Sequence, residues 1–325
     1  MKYFLSRLGY SLLVLWIVAT ILFFMFRLMP GNPLAAFLDV TTTKEQQAAI
    51  IAQFGLDKSI WQQYGIFLAN LAQGNLGESF FHKRPVMDVV MEALPNTAIL
   101  TLSGLIVAYI FGVLAGAYLA WKRGTTIEGI GIPLTLATRA APEFWLGMVL
   151  LAIFSFQLGW FPAGGSNTVG SNYASQFERI FSLDFLRHLA LPMLTLAIYL
   201  QGLPLLLMRS NMSEILQEDF ITMGKIKGLP NRTIVLGHAA RNAMLPVATA
   251  FALGIGSAIG GNVVVETIFS WPGIGRLLVN AVSSSDYPLA QGAFLIITFV
   301  LITMNFIADL TYRFLDPRIR VAAGH

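Results

Sequence analysis

The sequence predicts an all-α polytopic membrane protein, and two features of its composition support this fold class. The chain has 325 residues, of which 56% are hydrophobic and only 12% are charged, and its mean hydropathy is +0.68. Soluble domains carry about 25% charged residues, so a soluble chain this apolar could not cover its surface with polar groups. The charged residues are separated by long apolar runs, each close to the roughly 20 residues that a helix needs to cross a bilayer.

Six apolar runs predict six transmembrane helices. Five of them carry no charged residue: Leu8 to Phe26, Ala93 to Trp121, His188 to Met208, Asn242 to Val265 and Tyr287 to Ala308. The sixth, from about Pro133 to Phe156, is interrupted by Arg139, Pro142 and Glu143, which leaves five helices as the alternative count. The pairs Gly112/Gly116 and Gly256/Gly260 predict close helix packing, either within the chain or against a second subunit.

Arg139 and Glu143 are the two charged residues expected inside the bilayer. Their spacing of four residues predicts an ion pair on one face of a helix. Such a pair either lines an aqueous pathway through the bundle or lies at a helix end near the cytoplasmic surface, and the sequence alone does not decide between these positions.

Lysine and arginine residues near the span ends predict the orientation of the chain, because they are enriched on the cytoplasmic side. Most of them fall on the side of the N-terminus, which places both termini and residues 212–246 in the cytoplasm. Residues 30–92 then form an extracytoplasmic loop with helix signals of its own: the capping boxes Thr43-x-x-Gln46 and Ser59-x-x-Gln62, then Gly74 and Pro85. We expect an ordered, partly helical loop within a single transmembrane domain that covers residues 1–325.

Residues 212–246 form the longest polar interruption in the second half of the chain and predict two short helices. In the first, Asp219 is the expected N-cap, and Phe220, Met223 and Ile226 share one face. Lys225 and Lys227 lie in its last turn, where the helix dipole favours cations; Gly228 can adopt the left-handed conformation after it, and Asn231 is the expected cap of the second helix.

The first short helix needs a surface to pack against, because a helix of one to three turns is marginal in water. Gly224 is expected to leave a notch that admits another backbone, which favours contact with a partner protein. The alternative is a helix that lies on the lipid surface. The residues themselves support both alternatives equally.

No pattern of residues typical of an enzyme active site stands out in the sequence. The chain has no cysteine, and its four histidines lack metal-ligand spacing. The segment Gly165 to Gly170 has the glycine spacing of a phosphate-binding loop but lacks the Lys-Ser/Thr that follows in such loops. We therefore expect no catalytic residue, no metal and no cofactor in this chain, and the small net charge of +4 does not predict nucleic-acid binding.

Short elements in order along nearly the whole chain resemble a known family. They include Arg27 to Pro33, Gly74 to Ser79, Lys227-Gly228-Leu229, His238 to Pro246, Val264 to Arg276 and Leu315 to Arg318. Together they resemble the first of the two permease subunits of the dipeptide/oligopeptide/nickel group of bacterial ATP-binding-cassette importers. In the cytoplasmic loop, Thr222-Met223-Gly224 stands where many such permeases have Glu-Ala-Ala.

The resemblance implies a multi-pass protein of the bacterial inner membrane that pairs with a second, homologous permease around one pathway. Two ATPase subunits, which bind the ATP and Mg²⁺, dock on the cytoplasmic side, and an extracytoplasmic binding protein delivers the solute. The helix in residues 212–246 becomes the coupling helix, with these residues expected at the ATPase contact: Asp219, Phe220, Met223, Gly224, Ile226, Lys227, Gly228 and Leu229. The solute class spans peptides, nickel complexes, opines and oligosaccharides.

Two rival classes are a self-powered secondary carrier or channel and a membrane-embedded enzyme. A proton- or sodium-driven carrier is expected to show more buried ionisable residues, or broken helices at matching positions of two halves. An enzyme needs polar residues clustered at one membrane depth. Neither pattern stands out, so we expect an energy source outside this chain.

The predicted orientation is testable by labelling, because the chain contains no cysteine of its own. Cysteines introduced singly at Ser171 and Lys225 are expected to react with a membrane-impermeant maleimide from opposite sides of the membrane. Labelling of both from the same side would contradict the predicted number of spans between them.

Overall fold

A computed structural model of the chain describes residues 2–28, 57–258 and 261–315. Within these ranges the structure is helical and contains no β-strand. The predicted capping box at Thr43 lies outside the described residues. We number the helices α1 to α13: α1 Lys2–Leu28, α2 Ile60–Ala72, α3 Val86–Trp121, α4 Thr126–Ala140, α5 Glu143–Leu150, α6 Gln176–Phe181, α7 Leu183–Leu200, α8 Gly202–Ile215, α9 Asp219–Ile226, α10 Ala240–Ala258, α11 Val263–Ile268, α12 Ile274–Ser283 and α13 Tyr287–Leu315. One π-helical segment, Leu151–Gln157, continues from α5, and a second, Thr233–Ala239, leads into α10.

Four helical segments are long and apolar enough to cross a membrane: Ser6–Leu28, Val86–Trp121, Leu183–Leu200 and Tyr287–Ile307. A fifth crossing is possible if α4 and the helix from Glu143 to Gln157 act as one span, although they meet at an angle of 100°. The described residues thus support four or five apolar spans, and the predicted count of six is not confirmed.

Three of the predicted spans are not single helices. The run from Pro133 to Phe156 breaks at Ala141 and Pro142, because proline cannot donate a backbone hydrogen bond and disfavours helical geometry in the residue before it. The run from His188 to Met208 divides at Gln201, between α7 and α8. The run from Asn242 to Val265 divides between α10 and α11. Apolar composition predicts burial in lipid, but it does not locate these breaks.

The described residues fall into two compact units, and α3 contributes to both. The first unit comprises residues up to Asn96 and from Pro272 to Phe306. Its core includes Phe26, Val86 and Leu289. Asp286 is fully buried there and binds the segment before α3: its carboxylate accepts hydrogen bonds from the Ser79 hydroxyl and from two backbone N–H groups, those of Phe80 and Phe81. The loop segment just before α3 is therefore anchored by a buried charge.

The second unit contains residues 97–271, in which small residues on α3 allow close helix packing. A Cβ built at Gly112 would lie 2.7 Å from Cγ of Pro204, and one at Gly116 would collide with the carbonyl oxygen of Leu205. The Gly112/Gly116 face is thus occupied by α8 of the same chain, which decides between the two packing alternatives for this pair. For the second pair, Gly260 lies outside the described residues.

The packing of α3 on α8 predicts a sharp difference between two glycines. We expect Gly116→Ala to destabilise the protein by about 1–3 kcal/mol, since the added methyl group meets backbone that cannot rotate away. Gly129→Ala is the matched control, because no atom lies within 4 Å of a Cβ at that position. Thermal unfolding of the purified variants in detergent measures the effect; equal midpoints for the two variants would contradict the packing described here.

Candidate functional site: helix α9 and a polar cavity

Helix α9 is the short helix predicted in residues 212–246, and its ends explain its length. At its start, Glu218 is the N-cap residue, and its carbonyl oxygen accepts from the N–H of Ile221. The predicted cap, Asp219, is wrong by one position: Asp219 is the first helical residue, where its charge still favours the positive end of the helix dipole.

The C-terminal end of α9 is closed by a left-handed glycine, as predicted. Gly228 has φ of +75°, the N–H of Leu229 donates to the carbonyl of Gly224 at 3.1 Å, and the N–H of Gly228 donates to that of Lys225 at 3.0 Å. These two bonds form a Schellman motif, which satisfies carbonyl groups that a helix end leaves free. The second predicted cap, Asn231, is wrong: Asn231 is already helical, and the first N–H groups of that segment donate to the carbonyl of Pro230.

The two faces of α9 differ in burial. Ile221 is 1% exposed, whereas the predicted stripe is open to its surroundings: Phe220 is 46%, Met223 56% and Ile226 75% exposed. We call these three residues the apolar stripe. Apolar side chains exposed in a row on one helix are typical of a surface that meets a partner or a membrane.

Ile221 holds α9 in place by packing into a core shared with neighbouring helices. This core, the α9 anchor, includes Met208 and Met212 of α8, Ile234 and Ala239 of the π-helical segment, and Val247 of α10, all buried. Complete burial of a side chain the size of isoleucine contributes about 1.5–3 kcal/mol. The orientation of the apolar stripe therefore follows from the burial of the opposite face.

Gly224 lies on the buried face of α9. A Cβ built there would lie 3.6 Å from Cγ1 of Ile234 and 3.6 Å from Cδ1 of Leu229, both of the same chain. The notch expected at Gly224 therefore faces the interior of this chain instead of the apolar stripe.

A cavity of about 540 Å³ lies among α3, α4, α5, α7, α8 and α10 in the second unit, and we call it the polar cavity. Its volume is within the range of about 300–1,000 Å³ that small-molecule sites occupy. Leucine residues of α3, α7, α8 and α10 form much of its wall. Its polar lining consists of Thr101, Tyr109, Arg139, Glu143, Tyr199 and Asn262.

The structure brings Arg139 and Glu143 to the same cavity but does not pair them. The break at Pro142 places Arg139 near the end of α4 and Glu143 at the start of α5, so the ion pair predicted for one helix face is wrong. Glu143 instead accepts a hydrogen bond of 2.6 Å from Nδ2 of Asn262. A Cβ built at Gly202 would lie 3.2 Å from Cδ of Arg139, so the arginine stem crosses a glycine of α8.

Sequence reasoning missed the remaining polar residues of the cavity. Tyr109, Tyr199 and Asn262 lie in or beside predicted apolar spans, where a tyrosine is commonly assigned to the membrane interface. Asn262 carried a usable signal, because an amide inside a predicted span needs hydrogen-bond partners. Within residues 2–28, 57–258 and 261–315, no cluster of three or more His, Asp or Glu residues could hold a metal ion.

Comparison with protein families identifies the chain. Residues 108–321 match the model of the binding-protein-dependent transport system inner membrane component, and residues 1–101 match the N-terminal model of the same type of membrane component. The chain belongs to this family of transport-system membrane components. The resemblance drawn from the sequence is thereby confirmed, and with its apolar helices the chain is a multi-pass protein of the inner membrane.

Similar proteins cover the chain over almost its full length. The Di/tripeptide transport system permease protein DppB of Pseudomonas aeruginosa is 36% identical over 98% of this chain and 99% of its own length. The Oligopeptide transport system permease protein AppB of Bacillus subtilis is 35% identical over 98% of both chains. The Glutathione transport system permease protein GsiC of Pectobacterium atrosepticum is 35% identical over 98% of this chain and 99% of its own.

The end of α9 yields a prediction about two neighbouring glycines. We expect Gly228→Ala to destabilise the Schellman motif by about 1–2 kcal/mol, the cost of left-handed backbone for a residue with a Cβ. Gly224→Ala is the control, because its Cβ makes only ordinary contacts of 3.6 Å. Hydrogen–deuterium exchange of the amides of residues 225–229 measures the difference, and identical exchange in the two variants would argue against this helix end.

Proposed function

We propose that this chain is the transmembrane permease subunit of an ATP-driven importer and forms half of the translocation pathway for peptides or similar small solutes. Its family and its similarity over nearly full length to permeases of peptide and glutathione transport systems support this function. The observation that carries the mechanism is the unequal burial of the two faces of α9. Its inner face packs in the α9 anchor, whereas its apolar stripe is exposed.

The apolar stripe is the proposed contact with a cytoplasmic ATPase. Phe220, Met223 and Ile226 supply the area that the ATPase buries, while Lys225, Lys227 and Asp219 provide charges around it. Gly228 and Leu229 close the helix and hold its end in shape. Gly224 acts from the inner face, by allowing α9 to approach Ile234. The ATP and Mg²⁺ are bound by the ATPase subunits, and the chain itself carries no cofactor and no catalytic residue in this proposal.

The α9 anchor offers a direct route for movement into the pathway. Its buried members lie on α8 and α10 as well as on α9, and the same two helices supply Leu203 and Leu253 to the wall of the polar cavity. Packed side chains have discrete arrangements, so a displacement of α9 by a closing ATPase would move these helices as bodies. Arg139 and Glu143 are the proposed charged residues of the pathway.

The proposed assembly contains a second, homologous permease, two ATPase subunits and an extracytoplasmic binding protein, all embedded in or attached to the membrane. Both termini and residues 212–246 face the cytoplasm, and residues 30–92 form the extracytoplasmic loop. In this proposal, residues 1–325 form one transmembrane permease domain.

The docking proposal predicts the effect of a charge within the apolar stripe. We expect Met223→Asp to reduce transport and binding-protein-stimulated ATP hydrolysis at least about tenfold in the reconstituted importer, because the buried carboxylate lacks a partner at the contact. Met223→Leu, which keeps an apolar side chain of similar volume, is expected to retain both activities. Both rates are measured in proteoliposomes that contain equal amounts of assembled complex.

Normal transport and normal stimulated ATP hydrolysis by Met223→Asp would disprove the docking surface. A separate reconstitution tests the class of transporter: the chain in liposomes without ATPase subunits is expected to move no peptide. Transport by the chain alone would support the self-powered carrier or channel instead.

A further inference from the structure

We propose that the polar cavity binds the charged ends of a peptide, with Glu143 contacting the α-ammonium group and Arg139 the α-carboxylate. This inference rests on the proposed function, and it assigns to the permease itself a preference for zwitterionic solutes. Free peptides carry both charges whatever their side chains. A cavity lined by one carboxyl group and one guanidinium group is complementary to that shared feature.

Glu143 is oriented by the chain while one of its oxygens is left available. Asn262 donates from Nδ2 to Oε1 of Glu143 at 2.6 Å, and its own Oδ1 accepts from the N–H of Val265 at 2.9 Å, which caps α11. Asn262 is thus fixed at both ends of its amide. Oε2 of Glu143 accepts no hydrogen bond among the described residues, so it can accept one from an ammonium group.

Arg139 presents its guanidinium group from the end of the preceding helix. Its stem lies across Gly202, where any larger residue would meet Cδ at 3.2 Å. Neither Arg139 nor Glu143 takes part in an ion pair within the part of the chain that the structure describes. A guanidinium group binds a carboxylate through two parallel hydrogen bonds, which is the geometry that a peptide C-terminus offers.

The break at Pro142 keeps the two charges available. On one continuous helix, residues 139 and 143 would lie one turn apart and could neutralise each other. On α4 and α5 they remain separate, and each lines a cavity whose other lining residues are mostly apolar. A ligand with both termini can pair with both groups, whereas a ligand that lacks one terminus leaves one group without a partner.

The remaining lining residues fit a ligand that is recognised by its terminal groups and not by its side chains. Leu105, Leu196 and Leu253 offer apolar surface without a directional polar group, which tolerates different peptide side chains. Discrimination then falls on the two termini, whereas side-chain identity contributes little. This combination gives a site that is strict about charge and permissive about sequence.

The test measures peptide binding to the assembled importer in lipid nanodiscs, without nucleotide and without the binding protein, by saturation-transfer NMR. The probes are trialanine, N-acetyl-trialanine and trialanine amide. With the unaltered complex, we expect either blocked peptide to bind about tenfold more weakly than trialanine, the loss that follows from one charged hydrogen bond. Glu143→Gln is expected to weaken trialanine by a similar factor and to abolish the distinction between trialanine and its N-acetyl form.

Arg139→Gln is expected to abolish the distinction between trialanine and its amide while it preserves the response to N-acetylation. Glu178→Gln and Arg123→Gln remove the same charges from exposed positions outside the cavity and serve as matched controls with unaltered binding. The comparison of probes on the unaltered complex needs no variant, so a variant that fails to assemble does not block the test. Equal binding of all three probes to the unaltered complex, or equal losses for every probe in both cavity variants, would overturn the inference.

Peptide-stimulated ATP hydrolysis and transport, measured on the same complex with its binding protein, separate this inference from the proposed function. A complex that transports peptide but binds blocked and free trialanine equally refutes the terminal recognition alone. A complex that neither transports peptide nor hydrolyses ATP in response to the loaded binding protein refutes the proposed function as well.

Discussion

The burial of Ile221 against α8 and the π-helical segment Thr233–Ala239 is the interaction on which the proposed mechanism depends. Helix α9 has eight residues, too few to be stable by backbone hydrogen bonding alone. Packing of one face into the α9 anchor fixes its axis and rotation, and this leaves Phe220, Met223 and Ile226 outward as a consequence. A contact that transmits movement needs such a fixed inner face. If α9 slid over the α9 anchor, its displacement would not be passed on to α8 and α10.

The same packing relates the exposed helix to the polar cavity. Met208 and Met212 belong to α8, whose first turn reaches the cavity through Leu203, and Val247 belongs to α10, which reaches it through Leu253. Close approach of α3 to α8 at Gly112 and Gly116 stiffens this bundle, since backbone atoms pack there without intervening side chains. The second unit therefore contains both the proposed input of movement and the proposed pathway within one set of packed helices.

Charges inside this bundle are few and differ in their satisfaction. Glu128 accepts hydrogen bonds from the Gly124 N–H and from the Arg209 guanidinium group, so it stabilises local structure. Glu143 receives a single bond from Asn262, and Arg139 receives no acidic partner among the described residues. Charged groups that the protein leaves partly unsatisfied in a cavity are typical of sites that bind an external group. This contrast distinguishes the polar cavity from the structural ion pairs.

Local patterns in the sequence determined the helical membrane class, the C-terminal end and apolar stripe of α9, and the family, because composition, helical periodicity and short motifs are properties of neighbouring residues. Gly228 illustrates this: its conformation follows from its place at a helix end. The tertiary structure decided what α9 packs against, which way Gly224 faces, where the predicted spans break and which residues share a cavity. The spacing of four residues predicted an ion pair between Arg139 and Glu143. The break at Pro142 instead places them on two different helices, from which both line the same cavity. Asn262, over a hundred residues away, became the partner of Glu143, because long-range packing brings together groups whose separation along the chain carries no signal.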